Sequence, residues 1–154
     1  MHFTTTTLAL LATAATGALA APSGPVATTP TPSLFVSGLN WNVTDSGVNV
    51  SFNVKAGYDG KQTYHCSTTG GAGGINAKFT CDSNADIEYQ FVAGGESWPT
   101  QWFEVFWKFA PGVLANDGKT YLADGVNSLP DPKCTQACSV DSLVMQGRTT
   151  VVEN

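Results

Sequence analysis

Basic residues are scarce in this chain. Lys and Arg number seven in 154 residues against twelve Asp and Glu, a formal net charge of −5. A chain this acidic has no electrostatic footprint for nucleic acid or for an anionic lipid surface, so neither is expected as a partner. Charged residues of both signs make up only 12% of the sequence, and the surface must be rich in Ser, Thr, Asn and Gly instead. Histidine is scarcer still, at His2 and His65. A serine–histidine–acid triad needs a positioned imidazole, and His65 has no nucleophile motif to serve. It is expected to be an exposed strand residue. Glycoside cleavage needs two carboxylates across a sugar; Glu88, Glu96 and Glu104 could supply them, but three glutamates are background in an acidic chain. No catalytic residue is assigned, and the chain is expected not to be an enzyme.

Long apolar runs are also missing after the first 20 residues, so no membrane segment is expected. Leu8 to Leu19 forms an alanine-rich apolar stretch of signal-peptide length, and Ala18-Leu19-Ala20 is an A-x-A cleavage pattern. The reading is a signal peptide over 1–20 and a secreted, extracellular protein. Residues 21–33, a Pro/Thr/Ser tract, cannot bury enough apolar surface to repay ordering and are read as a flexible leader. Residues 34–154 are long enough for one domain and too short for two.

Cysteine is limited to four, Cys66, Cys81, Cys134 and Cys138. Only Cys134-x3-Cys138 approaches a zinc-ligand spacing, so no metal or other cofactor is expected. An even count in a secreted chain implies two disulfides, with three connectivities open.

What the chain has in quantity is alternation. From Val48 to Ala56 every even position is apolar and every odd one polar, the period of a strand with one dry face. Leu34 to Val43 repeats the pattern, with Phe35, Leu39, Trp41 and Val43 assigned inward, and Asp45-Ser46-Gly47 signals a hairpin turn between the two. Two glycosylation sequons begin at Asn42 and Asn49, both on the polar face. Thr63 to Ser67 carries Tyr64 and Cys66 on one face. After a glycine-rich loop, Ile75 to Cys81 points Ile75, Ala77, Phe79 and Cys81 inward. Cys66 and Cys81 thus fall on inward positions of neighbouring strands, as natural disulfide partners. Asp86 to Val92 directs Ile87, Tyr89 and Phe91 inward. Thr120 to Val126 and Leu143 to Val152 complete seven or eight strands, with Cys134 to Cys138 read as a tight disulfide-closed loop between them. No amphipathic helix is evident. The class is all-β, an antiparallel barrel or sandwich.

The most aromatic segment is Trp98 to Phe109. Phe103, Val105, Trp107 and Phe109 share the core face. Trp102, Glu104, Phe106 and Lys108 share the other, where two large aromatics alternate with charges. Trp102, Glu104 and Phe106 are the ligand-binding candidates: flat rings on a strand face could stack on a sugar or a small aromatic ligand, or anchor a protein.

Several of these segments, taken in order, resemble the Alternaria major-allergen family, secreted fungal β-barrel proteins that include plant cell-death elicitors. The matching stretches are Phe52-Asn-Val-Lys-Ala56, Cys66, Phe79-Thr-Cys81, Thr120-Tyr-Leu-Ala123 and Leu129-Pro130 leading to Cys134 and Cys138. The resemblance implies a compact antiparallel barrel, disulfides Cys66–Cys81 and Cys134–Cys138, and no catalytic site. It implies a host-facing role that includes binding a plant thaumatin-like defence protein or a flavonoid-like small aromatic ligand, and allergenicity. The prototype's extra N-terminal cysteine is absent here, so a monomer or non-covalent oligomer is expected and a disulfide-linked dimer is not. The Cys134–Cys138 interval is shorter than the family's.

The expectation is therefore a secreted, non-enzymatic, effector-like protein that binds a host extracellular protein or small ligand and elicits or suppresses host defence. A carbohydrate-binding or carbohydrate-active protein using Trp102, Glu104 and Phe106 is the alternative.

Overall fold

The computed structural model describes residues 31–44, 47–57, 62–72, 75–93, 101–129 and 137–152. Residues 1–20, read above as a signal peptide, residues 21–30 of the expected leader, Glu96 and Cys134 lie outside them. Eight strands follow in chain order: β1 (Leu34–Thr44), β2 (Gly47–Ala56), β3 (Tyr64–Gly71), β4 (Lys78–Thr80), β5 (Ile87–Ala93), β6 (Gln101–Phe109), β7 (Thr120–Ser128) and β8 (Cys138–Val152). Every pairing is antiparallel. The order β3-β2-β1-β8-β7-β6-β5-β4 curls into a nearly closed barrel.

The alternation of β2 sets the inside. Val48, Val50, Phe52, Val54 and Ala56 are all buried, and so are Ile87, Tyr89 and Phe91 of β5 and Phe103, Val105, Trp107 and Phe109 of β6. Phe52 meets Tyr89 edge-on at 4.9 Å and Phe103 at 5.1 Å, so β2 and β6 touch through the middle of the barrel. Such edge-to-face pairs add about 0.5–1.5 kcal/mol beyond the area they bury. Trp107 closes a second cluster against Tyr64 at 5.4 Å and Phe109 at 4.9 Å. These side chains form one continuous core inside the barrel.

The predicted face assignment of β1 needs a correction. Leu34 and Val36 are buried with Leu39 and Trp41, whereas Phe35 points outward, half-buried, with Lys55 Nζ 5.7 Å from its ring centroid. Gly38 sits at φ +58° and the β1–β2 register shifts between Ser37 and Asn40. A bulge inserts one residue, and one residue inverts every face beyond it. The structured chain also begins before Leu34: Pro32 is buried, and Ser33 O accepts a 2.7 Å hydrogen bond from Gly57 N.

The strand expected over Ile75–Cys81 is reduced to the three residues of β4, because Asn76 turns into the left-handed region at φ 69°. Cys66 and Cys81 form a disulfide, with Cα atoms 4.7 Å apart. Their strands are not ladder neighbours. They are the two edges of the sheet, and among the described residues no backbone hydrogen bond joins them. The disulfide therefore bridges the seam of the barrel. Beside it, Ser67 donates to Asp82 through its backbone N (2.9 Å) and its hydroxyl (2.8 Å), and Thr68 and Tyr89 share a hydroxyl–hydroxyl bond of 2.7 Å. Cys138 is also disulfide-bonded; its expected pairing with Cys134 falls outside the described residues.

Candidate functional site

β6 carries the three ligand-binding candidates because its even positions point out while its odd ones fill the core. Register turns each into the centre of a row across the sheet. Trp102 lies between Val92 and Ser128, Glu104 between Gln90 and Val126, and Phe106 between Glu88 and Asp124. Positions four apart on a strand are separated by about 13 Å, so Trp102 and Phe106 are the two ends of one face with Glu104 midway.

The two aromatics differ in access. Trp102 is 40% exposed. Phe106 is half-buried, and Lys78 Nζ lies 4.0 Å from its ring centroid while also pairing with Glu88 at 3.6 Å. That ring face is already occupied by a cation, an arrangement worth about 0.5–1 kcal/mol at an exposed site. Glu104 accepts a short hydrogen bond from Gln90 Nε2. On the far side of Phe106, Asp124 Oδ2 accepts from Arg148 Nε at 3.2 Å and lies 3.2 Å from its second nitrogen. Each carboxylate on this face thus has a partner. Two depressions flank the Phe106 row, one of about 390 Å³ lined by Glu104, Asp124, Val126 and Arg148, the other of about 260 Å³ lined by Glu88, Lys108 and Leu122.

Sequence reasoning missed the row that Trp102 heads. The β7–β8 register, read at Val126↔Gln146, brings Ser128 beside Val144 one step on, and Asn127 Nδ2 donates to Val144 O at 3.0 Å. Val144 is 56% exposed and is paired with the outward Phe35. Val92 with Trp102, and Val144 with Phe35, are therefore two apolar pairs in one row, separated by the exposed Ser128 of β7. Only pairing reveals it, since these residues lie far apart in sequence.

The remaining candidates are dispersed. His65 is exposed on β3 with Nδ1 3.2 Å from Asn53 Oδ1, away from β6. The sequon asparagines face each other directly, as the pair Asn42↔Asn49. Asn49 is exposed and its Oδ1 accepts from Gly70 N at 2.8 Å; Asn42 is half-buried.

Ionisation is perturbed mainly at the seam and at one turn. The Ser67 hydroxyl holds the Asp82 carboxyl below its ordinary value of 3.8. Burial raises the Tyr89 hydroxyl above its ordinary 10.0, with Thr68 opposing. Tyr121 donates to Asp117 at 2.5 Å, which lowers the carboxyl and raises the phenol.

Comparison with family models, with curated proteins and with solved structures finds no significant match.

Proposed function

We propose that this chain is a secreted, non-enzymatic, effector-like protein that binds a host extracellular protein through the outer face of β6. The observation that carries the reading is Trp102, 40% exposed on the outer face of β6 beside Val92. Large aromatics left in water beside polar neighbours are the usual anchors of protein interfaces, where a few residues supply most of the affinity. The signal-peptide pattern over 1–20 and the resemblance to the Alternaria major-allergen family support an extracellular, host-facing setting. A plant thaumatin-like defence protein is the partner class that the resemblance suggests. A non-catalytic role is supported by the hydrogen-bonded or ion-paired carboxylates of this face and by the placement of His65 on β3, away from β6. The carbohydrate alternative retains one open stacking platform, Trp102, because Lys78 covers Phe106.

The test is capture of plant apoplastic proteins by the oxidised mature protein and by Trp102→Ala, read by mass spectrometry. Loss of at least tenfold in one enriched defence protein, with the unfolding midpoint unchanged, is the expected result. Equal capture by both forms would remove the β6 face from the proposal.

A further inference from the structure

β8 has two neighbours, but not along the same stretch. β1 pairs with it from Cys138 to Met145, and β7 pairs with it from Gln146 to Val152. On the side away from β7, the residues from Gln146 to Val152 therefore have no ladder, over a length of about 20 Å. Among the described residues no backbone hydrogen bond reaches them from that side. They are not sheltered either: Gly147, Arg148 and Thr150 are exposed, and Val151 is 44% exposed.

Parity tells which backbone groups stand open. In an antiparallel strand one residue turns its N–H and C=O to one side, and the next residue turns them to the other. Ser33 O accepts from Gly57 N on the β2 side, so Leu34 turns to β8. Val144 O accepts from Asn127 on the β7 side, so Met145 turns to β1. The two observations agree, because Leu34 and Met145 are paired. Continued along β8, the same alternation turns Gly147, Thr149 and Val151 away from β7, each offering one donor and one acceptor. A row of such groups at a strand edge is a template for another strand.

Two occupants close at hand fit this edge poorly. The chain itself leads into β1 beside it, yet residues 31–33 make no backbone hydrogen bond to residues 146–152. In the β1 register, Pro32 and Pro30 are the residues that would face Gly147 and Thr149, and proline has no N–H to give. A second copy, paired antiparallel so that all three open residues are used, sets Arg148 diagonally across from its own image, like charges within reach of each other. The same side chain, 81% exposed, favours an acidic residue opposite it.

We infer that the distal edge of β8 accepts an extended segment of a partner protein as an added antiparallel strand. That segment has no proline at the positions facing Thr149 and Val151, and it carries a carboxylate opposite Arg148. The edge is two strands away from β6 and acts independently of the Trp102 face.

The test is amide NMR on the oxidised mature protein. In the free protein the amides of Gly147, Thr149 and Val151 should exchange about tenfold or more faster than those of Arg148, Thr150 and Val152, which β7 holds. The probe is the capped heptapeptide Thr-Val-Thr-Val-Glu-Val-Thr, whose glutamate falls opposite Arg148. Saturable shifts and slowed exchange at the three open amides are the expected result. Proline in place of the first two valines should abolish them, and lysine in place of the glutamate should weaken binding by about threefold or more. Arg148→Glu should reverse that last preference. Val151→Pro removes a donor that β7 does not use, and serves as the second variant if Arg148→Glu fails to fold. Trp102→Ala should bind the peptide unchanged, which separates this edge from the β6 face. Equal binding of the proline peptide, no shift with any peptide, slow exchange of the three amides in the free monomer, or a dimer that protects them would each overturn the proposal.

Discussion

The two walls of the barrel share one inside and have opposite outsides. Outside β1, β2 and β3 stand Ser37, Asn40, Asn42, Asn49, Ser51, Asn53 and Ser67, neutral amides and hydroxyls, with Phe35, Lys55 and His65 at one end. Outside β4 to β8 stand Lys78, Glu88, Glu104, Asp124 and Arg148, interleaved with Trp102, Phe106 and Val126. The inward residues of both walls meet in a single hydrophobic core, so the outer chemistry is decoupled from what holds the barrel together. The ion pairs of the second wall illustrate this. Lys78 and Glu88 are about half exposed and Arg148 is 81% exposed, a setting in which such pairs contribute about 0–1 kcal/mol. They orient side chains around Phe106 and are not what keeps the fold together.

The strongest way to break the comparison is through the shared centre. Phe52 under the amide wall and Phe103 under the aromatic wall are both fully buried and in edge-to-face contact. Phe52→Ala and Phe103→Ala should each destabilise by about 3–5 kcal/mol in urea unfolding. The double variant should differ from the sum by about 0.5–3 kcal/mol, since contacting residues couple. Strict additivity would mean two independent half-cores.

Next comes the seam, where the edge of one wall meets the edge of the other. Replacing Cys66 and Cys81 together by Ser should cost about 3 kcal/mol, the chain-entropy value for a loop of this size. Amide exchange should rise in β4 before β3, because β4 is held by a three-residue ladder to β5. Faster exchange first in β7 or β8 would show that the seam is not the weak line.

The smallest effect is a pH dependence at the same seam. Asp82 has its folded-state value depressed, so its contribution is present above the ordinary carboxylate value of 3.8 and is lost as pH falls through the lower folded value. Asp117 acts in the same direction through Tyr121. The unfolding midpoint should therefore be flat from neutral pH down to about 4 and fall below it. Asp82→Asn should make that fall shallower, and an unchanged acid limb would exclude the seam as its source.

Much of this was legible in one dimension. The alternations of β2, β5 and β6 mark Phe52, Tyr89, Phe91, Phe103 and Trp107 as inward, and all are buried. The failure in β1 has a local cause that the residue types do not reveal: Gly38 admits a bulge, and Phe35 changes sides. The candidate site was half legible. Trp102 and Phe106 share a face by parity, but the Lys78 cap comes from another strand and separates their roles. Val144 and Phe35 join Trp102 only through pairing.

Strand class and, bulges apart, the side on which each residue falls were settled by sequence alone, because a period of two is a property of a few consecutive residues. Which strands adjoin, in what register, and that β3 and β4 become the facing edges of a seam were decided by tertiary structure. Pairing is a non-local choice, made by the geometry of closing one sheet around one core. The row that sets Val144 and Phe35 in line with Trp102 is a product of that choice.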